Sequence, residues 1–187
     1  MALVKRTKKL TADFIWESPD DDNRYEVIDG DLYVTPPPRW GHQSAASNLF
    51  LILANHIKLH DLGWIVFAPT GVVLDEGTGV QPDILFIARE HADLISERGV
   101  EGPPDLVIEI LSPSTQRTDR TVKMAKYAAA GVPHCWLASP TAQALEAYHL
   151  REESYESVGT FGTGATFEPE LFPGLRITID DIFPTDS

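Results

Sequence analysis

Cysteine is nearly absent from this chain: Cys135 is the only one in 187 residues. No disulfide can form within it, and a cysteine-built zinc module is excluded. Cationic side chains are also scarce, with 15 Lys and Arg against 28 Asp and Glu and a net charge of −13. Such a surface argues against loose, non-specific attraction to a nucleic-acid backbone. A nucleic-acid enzyme of this charge needs a confined basic patch, helped by bound cations. Long apolar runs are missing as well, and nothing approaches the roughly 18 residues of a membrane-spanning helix. The opening MALVKRTKKL runs into TADFIWESPDDD without a signal-peptide core. These absences lead to the expectation of a soluble, cytoplasmic protein with no membrane partner.

What is present is ordinary for a globular protein, with 43% hydrophobic and 23% charged residues. The length suits one domain over residues 1–187 that buries its core without staples, with 1–10 as a flexible tail. YEVIDGDLYVTP reads as a hairpin around Asp29-Gly30. GHQSAASNLFLILANHIKLH reads as a strong helix whose Ala46, Leu49, Leu53 and Ile57 form one apolar face. GWIVFAP and TGVVLDEG read as paired strands and PDILFIA as a buried one. EHADLISER reads as a short surface helix, and HCWLASP as a strand. DRTVKMAKYAAAG reads as a helix stopped by Gly131, and QALEAYHL with ESYESVG as a second hairpin. The expected class is α+β: a mixed central sheet flanked by helices, with added β-hairpins.

One stretch does not fit a plain core. In PDLVIEIL, residues 104–111, alternation puts Asp105, Val107, Glu109 and Leu111 on one face and Leu106, Ile108 and Ile110 on the other. Glu109 therefore carries its charge into the middle of a buried strand. An isolated buried carboxylate is costly, so it neutralises, pairs with a cation or binds a metal. Asp83 opens the apolar run PDILFIA, and Glu26 lies within YEVIDG. Acids converging from separate strands suit a hard divalent cation, which takes oxygen ligands. A lysine is the natural companion, and the helix after the strand offers Arg117, Arg120, Lys123 and Lys126. Lys123 and Tyr127 are i, i+4 partners. If that helix folds back over the strand, Lys123 reaches the space beside Leu111, with Lys126 as the neighbouring competitor. The hydroxyls of SPST are expected to cap the helix.

The order YEVIDG, PPP…HQ, QPDILFI, PDLVIEILSPST, then D-x-x-x-K-x-x-x-Y with AGV and a following Trp, resembles the Uma-type restriction-endonuclease family, a branch of the PD-(D/E)XK nuclease superfamily. The resemblance runs from about residue 10 to the LRITIDDIF ending. It implies a restriction-endonuclease-like core, Mg²⁺ or Mn²⁺ held by Asp83 and Glu109, a supporting acid at Glu26, and a catalytic lysine displaced to Lys123. The superfamily's usual lysine position is Leu111 here. His42 and Gln81 match polar positions that line such a site. Cys135 and Ser139 depart from the pattern, which has an aromatic and an Asp there.

The expected activity is hydrolysis of nucleic-acid phosphodiesters, DNA before RNA, by an endonuclease working as a homodimer. Arg117, Arg120 and Lys126 are the candidate backbone contacts. Two alternatives use the same residues: a non-catalytic binding or assembly module, and a phosphoesterase acting on small nucleotides. Glu109 and Lys123 as a purely structural pair would fit the first.

Overall fold

The computed structural model describes residues 1–4 and 8–183. In chain order its strands and helices are β1 (Ala2–Val4), β2 (Arg24–Ile28), β3 (Asp31–Thr35), α1 (Trp40–Leu59), β4 (Gly63–Phe67), β5 (Val72–Asp75), β6 (Thr78–Val80), β7 (Ile84–Ala88), β8 (Val100–Glu101) and β9 (Leu106–Ile110). They continue with α2 (Gln116–Thr118), α3 (Met124–Ala130), β10 (His134–Ser139), β11 (Ala144–Arg151), β12 (Ser154–Phe161), β13 (Thr166–Phe167), β14 (Ile177–Thr178) and α4 (Ile179–Ile182). A π-helical turn, Asp119–Lys123, joins α2 to α3. No helix among the described residues is long and apolar enough to cross a membrane.

The class is α+β, as expected; beside a two-stranded β13–β14 sheet, the strands form two six-stranded mixed sheets. One is ordered β1-β3-β2-β6-β5-β8 and the other β12-β11-β10-β9-β7-β4. Both are mixed, because β5–β8 and β9–β10 run parallel while their other pairs are antiparallel. GWIVFAP and TGVVLDEG, read as partners, fall in different sheets: β4 pairs with β7, and β5 with β6 and β8. Adjacency in sequence misled here, since apolar alternation fixes a strand's faces and not its neighbour. Ala2–Val4, expected within a flexible tail, pair instead with β3; residues 5–7 of that stretch lie outside those described. EHADLISER is replaced by a 3₁₀ turn over Arg89–Leu94.

The faces of β9 explain how the layers assemble. Leu106, Ile108 and Ile110 join Leu49, Leu53 and Ile57 of α1 in one core. The helix buries Ala45 in its inner stripe, while Ala46 is only half-buried at the edge. Val107 and Leu111 point the other way, into a core shared with Ile28 and Val80 of the first sheet, Tyr127 of α3, and Cys135. Each fully buried aliphatic side chain contributes about 1.5–3 kcal/mol, so both faces of β9 are held firmly. Glu109 emerges on the second face, between the two sheets.

The helix after β9 ends at Gly131, which has φ +85° and open space where a Cβ would stand. A Gly131→Ala substitution therefore clashes with nothing and meets only left-handed backbone strain. The expected loss is about 1–2 kcal/mol in urea unfolding, with the fold retained.

Candidate active site

Four acids come together below the cleft between the sheets: Glu26, Asp83, Glu109 and Asp119, each no more than 5% exposed. β2 supplies Glu26, the entry to β7 supplies Asp83, β9 supplies Glu109, and the π turn supplies Asp119. Lys123, at the other end of that turn, is 1% exposed. Its Nζ lies 2.6 Å from Glu109 Oε1 and 2.8 Å from Glu26 Oε1. The helix does fold back over the strand, and Lys123 rather than Lys126 enters the site. Lys126 instead reaches Asp29 at the β2–β3 turn.

Three of the acids have specific company. Tyr127 Oη donates to Glu109 Oε1 at 2.5 Å, and the Gln81 backbone N–H donates to Glu26 Oε1 at 2.9 Å. Asp83 Oδ1 accepts from Arg24 at 2.6 Å, and Oδ2 accepts from the Ile110 N–H at 2.7 Å. His42 Nε2 lies 3.2 Å from Asp83 Oδ2. Burial raises the Asp83 carboxyl, but Arg24, His42 and the Ile110 N–H overcome it and hold this group well below the usual carboxylate range.

Glu109 shows the opposite balance. Burial, aided by Asp119, Asp83 and Glu26, pushes its carboxyl up to about 8 against the pull of Lys123. Asp119 is pushed up to about 6, chiefly by burial. Lys123 resists burial because Glu109 and Glu26 raise it, so its ammonium stays charged. Burial and Glu109 also raise Tyr127, leaving a neutral phenol that donates its proton.

The four acids, Arg24, His42 and Lys123 line a cavity of about 560 Å³ that extends past Ser112 and Thr115 to Pro140 and Thr141. Two contributors were not expected from the sequence. Arg24 orders Asp83 from 59 residues away, a pairing with no local signal. Asp119 stands four residues before Lys123 in D-x-x-x-K, where it reads as an ordinary helix-start acid. Gln81 contributes through its backbone: its N–H donates to Glu26 and its carbonyl accepts from Arg24 at 3.1 Å. The SPST hydroxyls do not cap the helix: Ser112 Oγ and Thr115 Oγ1 bond each other at 2.9 Å, and Thr115 Oγ1 accepts from the Ser112 N–H.

Of the three expected backbone contacts, Arg120 is bound to Glu146 through its two terminal guanidinium nitrogens at 2.6 and 2.5 Å. Lys126 is bound to Asp29. Arg117 is exposed, and among the described residues it forms no salt bridge.

Whether these residues suit a divalent cation can be judged from the donors. All four acids offer hard oxygen ligands, and Arg24 with Lys123 cancels only part of their charge. Glu26 Oε2 is buried without a hydrogen-bond partner. Among the described residues, no three His, Cys, Asp or Glu side chains already converge as a formed metal cluster. Arg24 and Lys123 hold oxygens that a cation would share. In chemistry and in charge the set fits a hard divalent cation.

No curated protein matches this chain. Among solved structures, it is similar to one described as a putative nuclease belonging to DUF820 from Anabaena variabilis. The TM-score is 0.77 at 21% identity, over 93% of this chain and 97% of that one. At that identity the likeness shows a shared fold. A model of the Uma2 family, described as "Putative restriction endonuclease", matches residues 12–180. With that match spanning nearly the whole chain, the protein belongs to the Uma2 family of putative restriction endonucleases.

Proposed function

We propose that this protein is a metal-dependent nuclease hydrolysing phosphodiester bonds in nucleic acid, DNA before RNA. The observation that carries the reading is the excess of buried carboxylate: Glu26, Asp83, Glu109 and Asp119 face one cavity with only Lys123 and Arg24 to balance them. A merely structural cluster gains nothing from such crowding, because the fold must either bear an uncompensated buried charge or hold a carboxyl such as Glu109 protonated up to about pH 8. A bound divalent cation removes the excess, and clustered groups with perturbed acidity mark sites of chemistry.

Asp83 and Glu109, with Glu26 beside them, would hold Mg²⁺ or Mn²⁺. That ion, when bound, lowers the pKa of its water and neutralises charge on the phosphate. The remaining work belongs to the chain. Lys123 keeps its ammonium charged and directs it at the negative charge that grows on the phosphate during attack. Tyr127 fixes the Glu109 carboxylate through one short bond. Arg24 and the Ile110 N–H fix Asp83, leaving little freedom to lose when substrate enters. His42 Nδ1 is buried without a partner and is available to a group in the cleft. Arg117 is the readiest of the three cationic contacts for the backbone. Cutting two strands would pair two copies about a two-fold axis.

A second reading has its own observation: Arg24 and Lys123 already close the acids internally, as in a binding or assembly module. Two measurements separate the readings. Supercoiled plasmid and a single-stranded oligonucleotide are incubated with Mn²⁺ or with EDTA, and thermal unfolding is followed with and without millimolar Mn²⁺. The nuclease reading expects Mn²⁺-dependent cleavage and a raised Tm, since a ligand of the native state stabilises it by mass action. Intact substrates together with an unchanged Tm would establish the module.

A further inference from the structure

Beside the acid cavity lies a second recess of about 380 Å³. The two share Arg24, Pro36, Pro37, Pro38, His42 and Asp83, so they meet at Asp83, a metal ligand in the nuclease reading. The walls of the second recess are largely apolar. Phe50 and Phe67 stand edge to face with ring centroids 4.9 Å apart, and Pro69 and Ala46 complete that side. Phe67 is 58% exposed. The rim is acidic, formed by Asp21 and Asp22, and both are exposed. Arg24, the cation of the recess, is committed to Asp83 and to the Gln81 carbonyl.

Resting on the nuclease reading, we propose that this recess receives one unstacked nucleobase next to the scissile phosphate, so that the substrate is single-stranded or locally unpaired nucleic acid. A base stacked within a duplex cannot enter a side recess, and extruding it costs a few kcal/mol, about what a stacking platform returns. Phe67 offers such a platform, because every base has a π-face and aromatic stacking tolerates any sequence. The acidic rim repels phosphate, which sends the base into the recess and leaves the backbone on the side of Asp83 and His42. A free nucleotide carries the same chemistry. A strand is favoured because the acid cavity continues beyond Asp83, with about 560 Å³ leading past Ser112 to Thr141.

The test uses the whole chain with Ca²⁺ in place of Mn²⁺ and a short single-stranded oligonucleotide carrying 2-aminopurine. Binding should change the fluorescence of that base, and Phe67→Ala should weaken binding about 5- to 150-fold, equivalent to the ~1–3 kcal/mol of one base–aromatic stack. The same variant should keep its Tm and its weaker affinity for a blunt duplex. Equal affinity of variant and wild type for the single strand would overturn the proposal, as would an equal loss on single strand and duplex. A deoxynucleoside monophosphate that binds as tightly as the oligonucleotide would assign the recess to a free nucleotide and overturn the strand. The two levels fail separately. Cleavage without dependence on Phe67 retains the nuclease and removes the base recess, whereas Phe67-dependent binding without cleavage under Mn²⁺ does the reverse.

Discussion

Replacing Lys123 with Met is expected to cost about 3–5 kcal/mol in metal-free buffer at pH 8, and to slow cleavage about 10²- to 10³-fold. The stability loss follows from position. Lys123 Nζ is the cation between Glu26 and Glu109, at 2.8 and 2.6 Å, and all three side chains are at most 2% exposed. Water cannot replace it there, so Glu26 is left without its cation and Glu109 must hold a proton to stay buried. Breaking a buried pair by deleting one partner is far more costly than losing an exposed pair. Lys126→Met is the control: it removes a contact to the exposed Asp29 and should change stability by less than about 1 kcal/mol.

The Lys123 loss should also depend on pH. Glu109 has its folded pKa raised from 4.5 to about 8 and Asp119 from 3.8 to about 6. In both cases the folded state holds a proton that the unfolded state has released. The stability tied to these groups is complete below their unfolded values and is lost as pH rises through the folded ones. Wild type in EDTA should therefore lose stability from about pH 4.5 to about pH 8. Lys123 stays charged over that range, and its pull is what limits the rise of Glu109. Without it Glu109 climbs further, so the deficit of Lys123→Met should be larger at pH 8 than at pH 5. Urea unfolding at both values decides the matter. A pH-independent loss below 1 kcal/mol would show that Lys123 does not hold the acids together.

The strand that carries Glu109 was readable because alternation is a local property. The split of Val107 and Leu111 from Leu106, Ile108 and Ile110 between two cores is the one the pattern dictates. The hairpin at Asp29-Gly30 was readable for a similar reason, as both residues take positive φ, 51° and 76°. The partners of β4 were not, because pairing is a long-range choice among strands of similar composition. Arg24 was hidden for the same reason, lying far from Asp83 in sequence. Asp119 was hidden by its ordinariness: an acid near a helix start is usually solvated, and no residue announces that a π turn will bury it. The roles given to Asp83, Glu109 and Lys123 came from family resemblance, while their proximity is a matter of geometry.

Glu109→Gln should separate a catalytic acid from a structural one, because the two roles predict opposite changes in stability. If Glu109 serves only to partner Lys123, neutralising it removes a buried ion pair and should cost about 3–5 kcal/mol. The arrangement predicts otherwise. Lys123 keeps Glu26 at 2.8 Å, Tyr127 can donate to the amide oxygen as it does to the carboxylate, and the cluster loses a carboxyl that burial holds up at about 8, so that it ionises only at a cost. In EDTA at pH 8 the variant should match wild type within about 1 kcal/mol or exceed it. Function should move the other way, with cleavage falling at least about 10²- to 10³-fold. Metal response gives a third reading. At a metal concentration of about 100 Kd, wild type should gain about 2.7 kcal/mol, or roughly 5–11 °C in Tm for a chain of this size. Glu109→Gln should lose most of that gain. A variant that unfolds easily, beside a wild type indifferent to Mn²⁺, would make Glu109 a structural residue and remove the basis of the nuclease mechanism. A stable, inactive and metal-blind variant would mean that the fold tolerates Glu109 at a cost in stability, and that the cost is explained by the chemistry this carboxylate performs.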